Sequence, residues 1–482
     1  MALAGCAVGP DFDRPAPPTV TAYTPDPVPA ATSSADIPGG EAQRFLQGTD
    51  VSAQWWTAFH SDALAALVAE ALKANPDLDA AQASLRQAHD NYLAAGGALF
   101  PSVSAAGSVG RQQSTFQNGD TLLNLYNASV SVSYVLDVFG GTRRNIESFG
   151  AAEDNSRYQL EATYLTLISN VLTAAIQEAS LTAQIAATQD IITAQNQAVD
   201  LMNQQFELGA VAKGDVLAEQ SQLAQTQASL PGLQKQLEQI QIQLLVLVGR
   251  FPSQGPIPNI QLADMQLPQE LPLSVPSKLV EQRPDVRQSE ALLHQASAQI
   301  GVATAAALPS LTLSGSYGSS ASSASNSPGL FDANTIAWNL AAGIAAPIFR
   351  GGTLAHQREA SLDAYDKSAA QYKSTVLTAF GNVANVLHAL ELDADSLKAN
   401  LYAEQLAQDT LDITTERYRA GALAYLSLLD AQRTYQQARI SLVQAQATRF
   451  SDTVALFQAL GGGWWNRTDV AATGGHEVFP LP

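Results

Sequence analysis

Two stretches of this chain alternate apolar and polar side chains, and each is followed by a far longer stretch with helical spacing. Within residues 126–138, Val130, Val132, Tyr134, Leu136 and Val138 fall on one side against Ser129, Ser131 and Ser133 on the other. A period of two predicts a strand with one apolar and one wet face. Residues 102–111 alternate more weakly just before it. A second pair follows: Leu311, Leu313, Gly315 and Tyr317 against Thr312, Ser314 and Ser316, then Trp338, Leu340, Ala342 and Ile344. Residues 112–125 and 318–335 read as the loops at the two hairpin ends.

Residues 142–208 hold no proline and one glycine, Gly150, so they can form a single helix about 100 Å long. Its apolar seam runs Leu160, Tyr164, Leu167, Val171, Ala174, Glu178, Leu181 and on to Met202 and Phe206, in alternating steps of four and three. That is coiled-coil spacing. A second seam runs from Leu362 and Tyr365 to Val386 and Leu390. Each long helix is expected to turn at a glycine, Gly209 or Gly421, and to be followed by a return helix over 215–248 or 426–460. Pro231 should kink or break the first return helix. Residues 62–95 read as a further helix ended by Pro101.

These elements occur twice. Leu99-Phe100-Pro101-Ser102 returns as Ala307-Leu308-Pro309-Ser310, and Asn75-Pro76-Asp77 as Arg283-Pro284-Asp285. Phe206-Glu207-Leu208-Gly209 returns as Tyr418-Arg419-Ala420-Gly421. Internal duplication of a helix, two strands and a long helical hairpin divides the chain into repeat one (61–250) and repeat two (276–462). A Pro-rich linker (251–275) joins them. An extended Pro-rich segment (1–60), a tether or a strap without a core of its own, precedes them, and a tail (463–482) follows.

Composition narrows the setting. A formal net charge of −19 argues against nucleic acid as a partner. Cys6 is the single cysteine, which rules out a disulfide within the chain. Leu3-Ala4-Gly5-Cys6 reads as a bacterial lipobox, so a covalent lipid on Cys6 is expected and no other cofactor. The few residues before it lack the charged and apolar regions of a signal peptide, so the native start is expected upstream of Met1. No segment offers the roughly 20 apolar residues of a spanning helix. The strands have the length and the apolar-out, polar-in rhythm of a porin-like wall, but four cannot close a barrel. Open edges are not tolerated in lipid, so several chains must share one.

At this point the sequence closely resembles the TolC-type outer-membrane factor family, in its lipoprotein branch serving resistance-nodulation-division efflux systems. The resemblance rests on Cys6-Ala7-Val8-Gly9-Pro10-Asp11-Phe12, Trp55-Trp56, Asn75-Pro76-Asp77-Leu78, Arg283-Pro284-Asp285-Val286, Arg417-Tyr418-Arg419-Ala420-Gly421, Leu429-Asp430-Ala431-Gln432 and Leu460-Gly461-Gly462-Gly463-Trp464. It implies a mixed α and β membrane protein, a homotrimer whose twelve strands form an outer-membrane barrel continued by a periplasmic α-helical barrel. Four strands in each of three chains agree with that number. It implies a lipid-anchored location in the bacterial outer membrane and passive conduction of small toxic compounds or drugs. The implied partners are a periplasmic adapter and an inner-membrane resistance-nodulation-division pump. The exit duct of a type I protein-secretion system is the first alternative, and a non-conducting coiled-coil lipoprotein the second.

In this family the helical turns form the periplasmic tip where adapter hairpins dock. The matching residues are Gly209, Gly421, Arg417 and Tyr418. The family closes its pore just past the turn, which points to Leu426 and Asp430 as the gate; repeat one supplies Asp215, which matches an acidic gate position of some relatives, although Ala218 stands opposite Asp430 in the repeat alignment. Three carboxylates about 6 Å apart repel by only ~0.7 kcal/mol per pair in water, a weak latch. The arginine that some relatives carry two places past the turn glycine is here Leu423, so that lock is not transferred. Trp55-Trp56 and Trp464-Trp465 are expected to pack against the equator of the helical barrel. The six histidines show no metal-ligand spacing. No phosphate loop or nucleophile elbow is present, and no enzyme is expected.

Overall fold

The computed structural model describes residues 7–116, 119–258, 260–323, 330, 332 and 335–467. Repeat one runs α1 (Asp62–Ala74), α2 (Pro76–Gly96), β2 (Ser102–Phe116), β3 (Gly119–Leu136), α3 (Gly141–Glu207) and α4 (Lys213–Leu247). Repeat two runs α5 (Pro276–Gln282), α6 (Pro284–Ala305), β5 (Ser310–Ser323), β6 (Ile336–Ala345), α7 (Thr353–Arg419) and α8 (Tyr425–Ala459). Strand β1 (Arg44–Gln47) precedes the first repeat, and β4 (Glu270–Leu273) lies between the two. The long helices are each 67 residues and the return helices each 35, so the duplication is conserved to the residue in its helical hairpins.

Strands β2, β3, β5 and β6 form one antiparallel sheet in that order. The register carries the alternation across the whole sheet. Ala105, Val130, Tyr317 and Trp338 form one cross-strand row, and Val103, Val132, Gly315 and Leu340 the next. The intervening row, Ser104, Ser131, Ser316 and Asn339, lies on the opposite face. The first hairpin runs on to Phe116 and Gly119 rather than opening at 112, and β5 continues to Ser323. The expected loops are therefore mostly strand, because backbone pairing persists after the side-chain alternation fades. Parts of the second loop, 324–329, 331 and 333–334, lie outside the described residues.

Below the sheet, the middle of α3 is buried on all but one stripe, where Thr166, Asn170, Thr173 and Gln177 are exposed: Leu165, Leu167, Ile168, Val171, Leu172, Ala175 and Ile176 join one core with Trp55, Phe59, Leu244, Val383, Phe450 and Phe457. The seam was legible, but around residues 165–181 it broadens because an equatorial layer wraps the helix. That layer is made by the segments read as tether and linker. β1 pairs in parallel with β4, and Ile260, Leu262, Met265, Leu267 and Leu271 are buried. The N-terminal segment is thus a strap. Arg449 of α8, fully buried, fastens it by donating to the Gly39 carbonyl (3.1 Å), Thr32 Oγ1 (3.1 Å) and the Glu41 carbonyl. Trp55 stacks on Phe457 at 5.0 Å, and Trp464 donates to the Gln282 carbonyl at 2.7 Å. Both tryptophan pairs are equatorial packing, as expected.

One helical expectation needs correction and another is narrowed. Residues 62–95 form two helices, because Asn75 caps α2: its side chain accepts from the Asp77 and Leu78 amides (2.9 and 3.3 Å), and Pro76 follows at the first turn. Pro231 does not break α4, which runs through it. Pro231 and Gln227 are both exposed, so the carbonyl that loses its partner faces water.

Asn75 and its counterpart Arg283 also have a second job. Asn75 Nδ2 donates to the Leu247 carbonyl (2.9 Å) at the end of α4, and Arg283 Nη1 to the Ala459 carbonyl (3.0 Å) at the end of α8. In each repeat, the residue before Pro-Asp ties the short helix to the end of the return helix.

Candidate functional site: the tip of the helical hairpins

Each long helix ends in the same closure. The Gly209 amide donates to the Phe206 carbonyl (2.9 Å) and the Ala210 amide to that of Gln205 (2.8 Å). Likewise the Gly421 amide donates to Tyr418 (2.9 Å) and the Ala422 amide to Arg417 (2.8 Å). These bonds satisfy carbonyls that a helix end would otherwise leave open, and they need a residue in the left-handed region. Both glycines have φ of 75°. A Cβ at either would meet nothing within 4 Å, so inside one protomer glycine serves the turn and no neighbouring backbone presses on it.

The two hairpins join just above these turns. Met202 of α3, Val216 of α4, and Tyr425, Leu428 and Leu429 of α8 form one apolar cluster, with Tyr418 of α7 packed against it. The Tyr418 and Tyr425 rings meet edge to face at 5.8 Å. Burial raises the Tyr418 hydroxyl above the usual tyrosine range, and the carboxylates of Asp215 and Glu219 add to the shift. The structure therefore brings Asp215, in the first turn of α4, and Tyr418, in the last turn of α7, into one electrostatic neighbourhood from opposite hairpins. Asp215 also sits at the positive end of the α4 dipole.

Leu426 and Asp430 lie one turn apart on α8 and are both exposed, while Tyr425, Leu428 and Leu429 are buried. They occupy the face of α8 turned away from the protomer's own cluster. Arg417 is also exposed, and its carbonyl closes the turn. A lateral cavity of about 390 Å³ rises from the tip between α3 and the second hairpin, lined by Asp190, Gln195, Met202, Tyr418, Tyr435 and Arg439.

Sequence reasoning missed Glu219. It is fully buried, and neither carboxyl oxygen has a hydrogen-bond partner. Burial pushes it up to about 7. The signal was present: Val216, Glu219, Leu223 and Thr226 step by three and four, which puts an acid in an apolar seam. One turn farther, Arg433 of α8 donates to Gln222 Oε1 at 2.6 Å across the hairpin interface.

Cys6 lies outside the described residues, but the chain just after it is held firmly. The Val8 amide donates to the Phe139 carbonyl (2.9 Å), and Arg144 donates to the Val8 carbonyl (3.1 Å) and Asp11 Oδ1 (2.6 Å). A Cβ on Gly9 would sit 2.4 Å from Gly301 Cα, so two backbones cross in contact there. His294 bonds Glu147 Oε1 (2.9 Å) and stacks on Phe12 at 4.3 Å. Among the described residues no three His, Asp or Glu side chains gather as a metal site, and no helix is long and apolar enough to cross a membrane.

The model of the outer membrane efflux protein family matches residues 67–250 and 275–462, the two repeats in turn. The chain is 31% identical over 421 residues to the pyoverdine export outer membrane protein OpmQ of Pseudomonas putida, covering 85% of this chain and 88% of that one. It is 30% identical to the probable efflux pump outer membrane protein TtgC of the same species, covering 97% and 95%. Its fold superposes on the outer-membrane channel OprN with a TM-score of 0.83 at 26% identity, over 95% of this chain and all of that one. With two matched repeats, a sheet with one apolar face and hairpins closed by glycine at a common tip, the chain belongs to the outer membrane efflux protein family, whose members are channels rather than enzymes.

Proposed function

We propose that three copies of this chain close one twelve-stranded barrel and form the outer-membrane exit duct of a tripartite efflux pump, gated at the periplasmic tip. The observation that carries this reading is the sheet: among the described residues β2 and β6 are its edge strands, each paired on one side alone, and one sheet face presents Val132, Tyr317, Trp338 and Leu340 outward. A lipid-facing sheet must have no free edge, so β6 of one copy pairs with β2 of the next. The helices support the same closure. Leu377, Leu392, Leu406 and Ile413 are exposed on one side of α7, and Leu217, Ile242 and Val246 on one side of α4. These two stripes face neighbouring copies.

Three-fold closure turns Leu426 and Asp430 toward the axis, where leucine excludes water and the acids filter cations, with Asp215 lining the tip beside them. Gly209, Gly421, Arg417 and Tyr418 form the surface that receives the adapter of a resistance-nodulation-division pump. The clamped arm from Ala7 to Asp11 sets a lipid on Cys6 at the foot of the barrel, beside the β3–α3 junction. Relatives export pyoverdine or serve efflux pumps by name, and the duct carries small toxic compounds of that kind. The test is single-channel recording on purified trimers. The reading expects small conductance that rises in Asp430→Ala; a non-trimeric protein, or trimers that never conduct with the tip residues removed, would overturn it.

A further inference from the structure

Glu219 takes no part in the turn, the gate or the docking surface. Its carboxyl lies where the first hairpin meets the second, fully buried and bonded to nothing. From α7 it faces Tyr418, whose hydroxyl is also buried and unbonded. From α8 come Tyr425, with another unbonded hydroxyl, and Arg433, whose Nε is engaged by Gln222. From α3 the side chain turned into the cluster is Met202, and on α4 itself the neighbouring charge is Asp215. A carboxylate in such surroundings is costly, and a neutral carboxylic acid much less so. Parting of the two hairpins, which takes Tyr418 of α7 away from α4, would give water access to this group. Its counterpart in repeat two is Ala431, so each protomer carries one such acid.

We propose that Glu219 is a proton-linked latch of the tip, neutral while the two hairpins are joined and ionised when they part. The idea rests on the duct reading above and adds a control to it. Opening converts the buried carboxylic acid into a hydrated carboxylate and releases one proton to water per protomer. Because opening releases protons, alkaline conditions favour it and acid opposes it. With the group held at about 7 when buried against its ordinary 4.5, the open-to-closed ratio gains up to roughly 300-fold per protomer as pH rises across that window.

The test places genetically encoded spin labels at Lys213 and Ser427, exposed positions on opposite hairpins, in the full chain. Distances are read by pulsed dipolar spectroscopy between about pH 4 and 8, with bilayer currents recorded in parallel. The wild type should lengthen as pH rises toward about 7 and level off above it. Glu219→Gln should stay short throughout, and Glu219→Met, which keeps volume without a titratable group, should do the same. A wild-type distance that ignores pH, or a Gln variant that follows the wild-type profile, overturns the latch. Distances that switch in trimers carrying no current would retain the latch and remove the duct; currents with pH-blind distances would do the reverse.

Discussion

Gly421→Ala and Gly461→Ala make one chemical change at the same kind of helix end, yet they should differ severalfold in cost. Gly421 closes α7 and Gly461 closes α8, with φ of 75° and 93°. An L residue in that region costs about 1–2 kcal/mol at either place. At 421 that is the whole penalty, since a Cβ there meets nothing within 4 Å. At 461 the Cβ would fall 2.6 Å from the Gln282 carbonyl oxygen. That oxygen cannot yield, because it accepts from Trp464 and belongs to the junction where Arg283 ties α6 to the end of α8. Overpacking of this kind adds about 1–3 kcal/mol, bringing Gly461→Ala to roughly 2–5 kcal/mol. Repeat one holds an independent copy of the comparison, since Gly209 is open while a Cβ on Gly249 would lie 2.2 Å from the Ala74 carbonyl. Heat dissociation of purified trimers reads the stability, and drug susceptibility of cells carrying each variant reads the duct. The account expects Gly461→Ala and Gly249→Ala to lower the midpoint strongly. Gly421→Ala should leave a stable trimer, and a bulky Gly421→Leu should abolish efflux through lost docking. Equal destabilisation at 421 and 461, or normal efflux with leucine at 421, would refute the reasoning.

Other consequences can be measured separately. Arg449→Met removes three hydrogen bonds from a buried cation to the strap, leaves their acceptors orphaned and should cost about 3–5 kcal/mol, read as lost amide protection over β1 and residues 32–43. Burial, together with the Asp452 carboxyl of α8 beside it, pushes Asp393 of α7 up to about 7. Its folded value exceeds its ordinary 3.8, so its contribution is complete in acid and is lost as pH rises through about 7. Stability should fall over that window in the wild type, and Asp393→Asn should flatten the profile. Leu340→Arg puts a charge on the lipid face and should cost about 2–4 kcal/mol per protomer near mid-membrane, depleting assembled trimer. Asn339→Arg, on the opposite face of the same strand, should assemble normally.

The parts of the fold legible in the sequence were those with a repeating period. Alternation marked the strands around Val130, Val132 and Leu313, and steps of three and four marked α3 and α7, because each period reflects one face meeting one environment. The strand ends were not legible, since Gln112, Gln113 and Asn124 lie past the alternating band and yet stay in the β2–β3 ladder. The equatorial layer escaped for a related reason. Ile260, Leu262, Met265 and Leu267 are buried from irregular backbone, which imposes no period on its apolar residues. The Asn75-Pro76 and Arg283-Pro284 motifs were visible, but their ties to Leu247 and Ala459 needed the two helix ends brought together in space. At the tip, the two turn glycines could be read off the duplication, whereas Asp215, Glu219 and Asp430 fall opposite Ser427, Ala431 and Ala218 and could not. Whether each acid points outward, as Asp430 does, or inward, as Glu219 does, was settled by the packing of the second hairpin against the first.

The central claim, a duct engaged at its glycine turns by an adapter, is tested most directly by a photo-crosslinking residue at position 421 in living cells. Mass spectrometry then identifies the captured protein. The account predicts capture of a periplasmic adapter that partners a resistance-nodulation-division pump. Capture of an adapter belonging to an ATP-driven protein exporter would contradict it, as would efflux at full strength with no protein captured at the tip.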